Sequence, residues 1–225
     1  MAGCLEHPVA PCSGHDTHRP VAALIYPPGP TDHLRSSPHT APAYPDAVPS
    51  RILLLRGINL ASRNRIAMPQ LRELLSAAGM ADVRTYLQSG NVVVSSDAPP
   101  EQLARECQHQ LAQELGLDIS VVARTRDELA DVVARNPLGD VAVNPKRYQV
   151  SFLDTELEQD VVERLGALAL DSERFVAIGR ELYAWHPEGV ARSKLWNKLA
   201  GKGLGATATA RNWTTVTALL EMADG

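Results

Sequence analysis

The sequence of 225 residues predicts an α+β protein made of two tandem βαββαβ halves with antiparallel sheets, preceded by a disordered N-terminal tail. Three observations lead there. Proline and histidine crowd into the first fifty residues. From residue 51 onward, apolar periods of about 2 and about 3.6 residues follow one another in the order of a split β-α-β unit, and that order restarts near residue 141. The domains therefore read as a Pro/His-rich tail at 1–50, a first half at 51–140 and a second half at 141–225.

Residues 1–49 hold ten of the sixteen prolines and five of the seven histidines, and they show neither apolar period. Such a segment cannot bury enough surface to offset its ordering entropy. Val48, at the edge of the patterned region, is a candidate non-standard translation start. Cys4, His7, Cys12, His15 and His18 are metal-ligand residue types at short spacings. Without an apolar wrap for a site, they read as the incidental His and Cys of a Pro-rich tail, so neither metal nor cofactor is expected. The three cysteines, Cys4, Cys12 and Cys107, are too sparse for a secreted disulfide framework. No signal-peptide pattern is present, and no run approaches the roughly 20 apolar residues of a membrane span. A cytoplasmic protein with no membrane partner is expected.

Each element then follows in order. RILLLRG (51–57) is apolar on both faces, so material must cover both sides of that strand. Leu71, Leu74, Leu75 and Ala78 form one stripe of a helix bounded by Pro69 and Gly79. VRTYLQ and NVVVSS flank Ser89-Gly90 as a hairpin. A second helix aligns Leu103, Cys107, Leu111 and Leu115, and strand ISVVAR follows. The order β-α-β-β-α-β is that of a ferredoxin-like unit. Thr125 to Glu128 reads as a capping box opening a short helix that carries Leu129, Val132 and Val133 inward. Strand RYQVSFL restarts the pattern. Thr155 to Glu158 reads as a second capping box, and RFVAIGRELYAWH as a hairpin turning at Gly179-Arg180. A helix around Ser193–Leu199, a short strand at Thr207–Ala210 and a last helix with Trp213, Val216, Leu219 and Leu220 inward complete it.

Four blocks, LLRGINLASRNRIAM, TYLQSGNVVV, GVARSKLWNKL and TARNWTTV, resemble the bacterial family called domain of unknown function 1697, over about Arg51 to Met222. The resemblance implies the same tandem ferredoxin-like fold and no established activity. Departures from the family pattern are Arg63 where Lys is common, Leu60-Ala61-Ser62 in place of a more glycine-rich loop, Trp196 where Thr is frequent, and Ala210 in place of Thr.

Metalloprotease, nucleophile-elbow, redox C-x-x-C and P-loop motifs are all missing. GKGLG (201–205) follows a helix rather than a strand and reads as a link, not a phosphate cradle. Cys107, on an apolar stripe, reads as a buried structural thiol, and His109 as exposed. His186 reads as a lone histidine with no obvious carboxylate partner, and hence as structural before catalytic.

Residues 189–213 contain five Lys or Arg and no carboxylate in a chain of net charge −4. The rest of the chain is thus strongly acidic, and the asymmetry favours a localised basic patch. Polar residues gather at element ends: Arg56, Asn59, Arg63, Gln88, Ser89 and Asn91 in the first half; Arg192, Ser193, Lys194, Arg211 and Asn212 in the second. Cations near helix N-termini oppose the helix dipole unless an anion answers them. The sequence-based expectation is a phosphate-bearing ligand, nucleotide or nucleic acid, in a groove between the halves. Arg56, Asn59, Lys194, Arg211 and Asn212 would hold the anion, with Gln88 and Asn91 reading polar groups beside it. Two alternatives stand beside it: an interaction or scaffolding module in which Arg211 and Asn212 merely bridge the halves, and an enzyme of unknown reaction using His186 or the same groove.

Overall fold

The computed structural model describes residues 48–60, 64–200 and 204–225. The Cys/His pattern of the tail, the site candidate Arg63 and Gly201–Gly203 lie outside the described residues. In the first half, β1 (Ser50–Leu55), α1 (Met68–Ala77), β2 (Ala81–Tyr86), β3 (Asn91–Ser95), α2 (Pro100–Leu115) and β4 (Val121–Thr125) are followed by α3 (Arg126–Arg135). In the second, β5 (Tyr148–Leu153), α4 (Gln159–Gly166), β6 (Arg174–Ile178), β7 (Glu181–Trp185), α5 (Lys194–Ala200) and β8 (Ala208–Asn212) are followed by α6 (Trp213–Asp224). The two sheets are antiparallel, with strand orders β2-β3-β1-β4 and β6-β7-β5-β8. This is the architecture the apolar periods predict, twice over.

The halves agree in register as well as in order. Leu54 lies opposite Asn91 and Val122, and Phe152 lies opposite Glu181 and Thr209. Leu54 therefore corresponds to Phe152, Asn91 to Glu181, and Val122 to Thr209.

Alternation along the strands sorts the side chains into three cores. Leu53, Leu55, Val92 and Val94 face outward to Leu71, Leu75, Leu103, Cys107 and Leu111 of α1 and α2. Leu153, Leu182 and Ala184 face Leu165, Leu195 and Leu199 of α4 and α5. Between the sheets, Ile52, Leu54, Val93 and Val122 meet Val150, Phe152 and Tyr183, with Leu129 and Val132 of α3 and Val216 and Leu219 of α6 in the same cluster. Helix α6 contacts β1 and β3 of one sheet and β5 and β8 of the other. Both sheets are thus covered on both faces, which accounts for the double-sided apolarity of β1 and β3.

Local details confirm most of the turn and cap chemistry. Thr125 Oγ1 accepts from Glu128 N at 3.0 Å while Thr125 N donates to Glu128 Oε2 at 2.7 Å, closing the capping box. The first hairpin turns over Leu87–Gly90, with Gly90 at φ +73, and the second at Gly179, φ +56. The second capping box does not form. Helix α4 starts only at Gln159, with Glu158 at its N-cap and no side-chain cap bond, because Leu157 packs against the outer core ahead of the helix. Strand β8 runs to Asn212, two residues beyond its predicted end. Cys107 is fully buried, and burial pushes its thiol up to about 12. His109 is exposed.

Candidate functional site

Arg211 lies opposite Val150 in the β5–β8 pair, so it projects from the middle-core face of its sheet. Its guanidinium crosses to the first half. Nη2 donates to Leu55 O at 2.8 Å, Gly90 O at 3.2 Å and Ser89 O at 3.3 Å, and Nε donates to Asn91 Oδ1. Nη1 donates to Thr209 Oγ1 and Ala210 O, both at 2.8 Å. Every one of these acceptors is neutral. With Arg211 only 8% exposed, burial pulls its pKa down to about 10.

Arg124 holds the corresponding position in β4, opposite Ile52, and makes the reciprocal crossing. Its Nη2 donates to Leu153 O at 2.6 Å and Arg180 O at 3.3 Å, and Nη1 to Ala123 O at 2.8 Å. Its Nε donates at 3.0 Å to Glu181 Oε1, a carboxylate in β7 at the place Asn91 holds in β3. Burial lowers the Arg124 pKa, and the Glu181 charge acts against that. Two equivalent arginines therefore clasp the halves, one answered by a carboxylate and one by an amide.

A cavity of about 360 Å³ opens beside Arg211. Arg56 and Ser89 enter it from the first half, Thr209, Arg211, Asn212 and Thr215 from β8 and the start of α6, and Trp196 from α5; among the described residues no Asp or Glu lines it. Arg56 also donates from Nη2 to Ala200 O at 3.2 Å, tying the first half to the end of α5. Asn212 caps α6, its Oδ1 accepting from Thr215 N at 2.9 Å.

The corresponding cavity beside Arg124, about 280 Å³, has a different charge balance. Asp154 stands there where Arg56 stands here: Asp154 N donates to Thr207 O, and Arg56 N to Ser120 O. Arg180 in its wall pairs with Glu128 and with Glu101.

Four of the residues singled out from sequence, Arg56, Ser89, Arg211 and Asn212, therefore share one cavity. Asn91 stands behind its wall, fully buried, with Nδ2 donating to Tyr86 O at 3.1 Å and to Ser89 Oγ at 2.9 Å. The other described ones point elsewhere. Asn59, at φ +53, seals its own loop: Nδ2 donates to Ile66 O and Gln88 O, and Oδ1 accepts from Ile66 N. Gln88 is exposed beside Arg65 in a separate surface depression. Arg192 and Lys194 are exposed and do not line the cavity. Ser193 is buried and caps α5, accepting from Trp196 N at 2.9 Å.

His186 is not the lone histidine expected. It is fully buried, with Nδ1 2.6 Å from Glu173 Oε1. Burial pushes the Glu173 carboxyl up, but bonds from Leu170 N, the Ser193 hydroxyl and His186 outweigh it and hold the pKa below the ordinary value. The signal was present in the sequence. A two-residue turn at Gly179-Arg180 sets Arg174 opposite Trp185, and the next step places Glu173 opposite His186. The imidazole and the Trp196 ring meet nearly edge to face, 5.8 Å between centroids. The cluster thus anchors α5 and the indole that it presents to the cavity.

Among solved structures, the conserved bacterial protein SP0830 from Streptococcus pneumoniae is similar, with a TM-score of 0.63 at 22% identity, covering 78% of this chain and 98% of that one. At that identity the likeness is one of fold. No curated protein matches. The family described as "Protein of unknown function (DUF1697)" matches residues 48–183, from just before β1 into β7 and over half of the chain. That match, over more than half of the chain and spanning the first half and part of the second, shows that this chain belongs to the DUF1697 family.

Proposed function

We propose that the protein binds a small phosphate-bearing molecule, a nucleotide by preference, in the cavity between its halves, and that it does so in the cytoplasm. One observation carries the reading: the buried Arg211 guanidinium borders a cavity that no carboxylate lines among the described residues, while its counterpart Arg124 is paired with Glu181. A cation removed from water and held only by neutral dipoles retains its net charge, and its field in a low-dielectric wall favours an anionic guest. Arg56 would meet the phosphate directly, with the hydroxyls of Ser89 and Thr209 and the amide of Asn212 around it. The Trp196 ring offers a flat apolar wall to a base.

The volume falls at the lower end of small-molecule sites, roughly 300–1,000 Å³. Single-stranded RNA read by stacking on an open sheet, the usual mode of such sheets, is disfavoured because both sheet faces are covered. No catalytic role is proposed for His186, which is buried and does not line the cavity.

The test is calorimetric titration of wild type and Arg56→Ala with inorganic phosphate and nucleoside monophosphates, at about 50 and about 200 mM salt. Wild type should bind, more weakly at the higher salt, and the variant about tenfold more weakly, the worth of one charged hydrogen bond. Absence of binding by wild type, or equal binding by both, rejects the reading. A second reading rests on the fact that all five Arg211 N–H groups already have partners. It makes the clasp purely structural, and phosphate would then leave the melting temperature where it was.

A further inference from the structure

We infer that Asn91 sets the charge selectivity of the cavity. As a neutral amide where the other half carries Glu181, it leaves Arg211 a buried cation whose counter-ion is the phosphate guest. The inference rests on the phosphate-binding reading above and adds the residue that governs it.

The internal duplication provides the comparison. Three bonds of the Arg211 clasp recur in the Arg124 clasp, Leu55 O matching Leu153 O, Gly90 O matching Arg180 O, and Ala210 O matching Ala123 O. The backbone cage is therefore common to both, and what differs is charge. On the Arg211 side, Asn91 replaces Glu181 and Arg56 replaces Asp154; at the third position of the following helix, Thr215 replaces Glu128. These three differences make this side more positive; the one that runs the other way, Arg180 in place of Gly90, is answered on its own side by Glu128 and Glu101.

The amide fits the purpose in geometry as well as in charge. Bonds from Nδ2 to Tyr86 O and Ser89 Oγ orient Asn91 so that Oδ1 meets Arg211. The clasp can therefore close in the absence of any guest. Because Ser89 Oγ accepts from Asn91, its own proton is directed away from that amide, and Ser89 lines the cavity. A carboxylate at position 91 would cancel the Arg211 charge and compete for the Ser89 proton, whereas the amide leaves both to the guest.

The experiment compares phosphate and nucleoside monophosphate affinity, by calorimetry, for wild type, Asn91→Asp and Asn91→Ser, with thermal unfolding recorded for each. The isosteric charged variant should bind about tenfold more weakly or worse, as expected for one opposing charge across a few ångströms of protein. The neutral, smaller variant loses the Arg211 acceptor but adds no opposing charge, so it should weaken binding less than the aspartate does. A merely structural role predicts the reverse order, because serine removes the Arg211 acceptor and aspartate keeps it. If Asn91→Asp does not fold, Asn91→Glu replaces it, copying the residue type of the other half. Affinity in the folded carboxylate variant within twofold of wild type, or an equal loss in Asn91→Ser, overturns the inference. Failure of wild type to bind overturns the underlying reading instead.

Discussion

A guanidinium taken out of water has to recover from fixed groups what its hydration shell supplied. Arg211 recovers it from carbonyls, an amide and a hydroxyl; Arg124 does so from carbonyls and a carboxylate. The two should therefore respond differently to substitution. Glu181→Gln strands the Arg124 charge and should cost about 3–5 kcal/mol in urea unfolding. Arg211→Met removes a charge that has no ionic partner among the described residues and leaves several carbonyls without donors, so about 2–4 kcal/mol is expected. The Glu173–His186 pair adds a pH dependence. The folded-state pKa of Glu173 is depressed, so the stability it contributes is present above the ordinary carboxylate range and disappears as pH falls through the depressed value. The gap in unfolding free energy between wild type and Glu173→Gln should accordingly narrow from about pH 7 to about pH 3; a gap that widens would contradict the assignment.

At the scale of single elements, turns and caps place the clasps. Gly90 sits at φ +73, and a Cβ there would lie 2.7 Å from Leu55 Cβ and 3.0 Å from Ile58 Cγ1. Both the conformation and the space exclude a side chain, so Gly90→Ala should lower stability by about 2–4 kcal/mol. It should also disturb the carbonyl that Arg211 uses, and thermal unfolding with a near-UV spectrum would show both effects. Helix α5 is only seven residues long and depends on its anchors: Leu195 and Leu199 in the outer core, and the Ser193 cap that also bonds Glu173. Ser193→Ala should cost about 1–2 kcal/mol and loosen Trp196, read as a shift in tryptophan emission without loss of the rest of the fold.

At the scale of the whole molecule, the middle core decides what can fold. Ile52, Leu54, Val93 and Val122 from one sheet are covered by α6 of the other half as well as by α3, so residues 48–140 alone would expose a broad apolar face. Expressed by itself, that fragment should aggregate or bind hydrophobic dye, while the intact chain unfolds in a single transition with fluorescence and circular dichroism coincident. This dependence was legible in outline, because a strand apolar on both faces requires two covers. Strand order and turn chemistry were legible too, since periods of about 2 and about 3.6 residues are local properties of a chain. The candidate site was legible only in part. Arg56, Ser89, Arg211 and Asn212 stand at element ends and do meet, yet Arg192 and Lys194, in the same basic stretch as Arg211, face solvent. The pairing of Glu173 with His186 follows from hairpin register, a local rule, whereas the approach of Arg211 to Asn91 across 120 residues follows from none. The sequence by itself determined the two halves, their elements and the basic bias near the end of the chain. Only the tertiary structure decided which charges face one another, because a side chain's electrostatic partner is chosen by packing between sheets, and that packing is set by long-range burial.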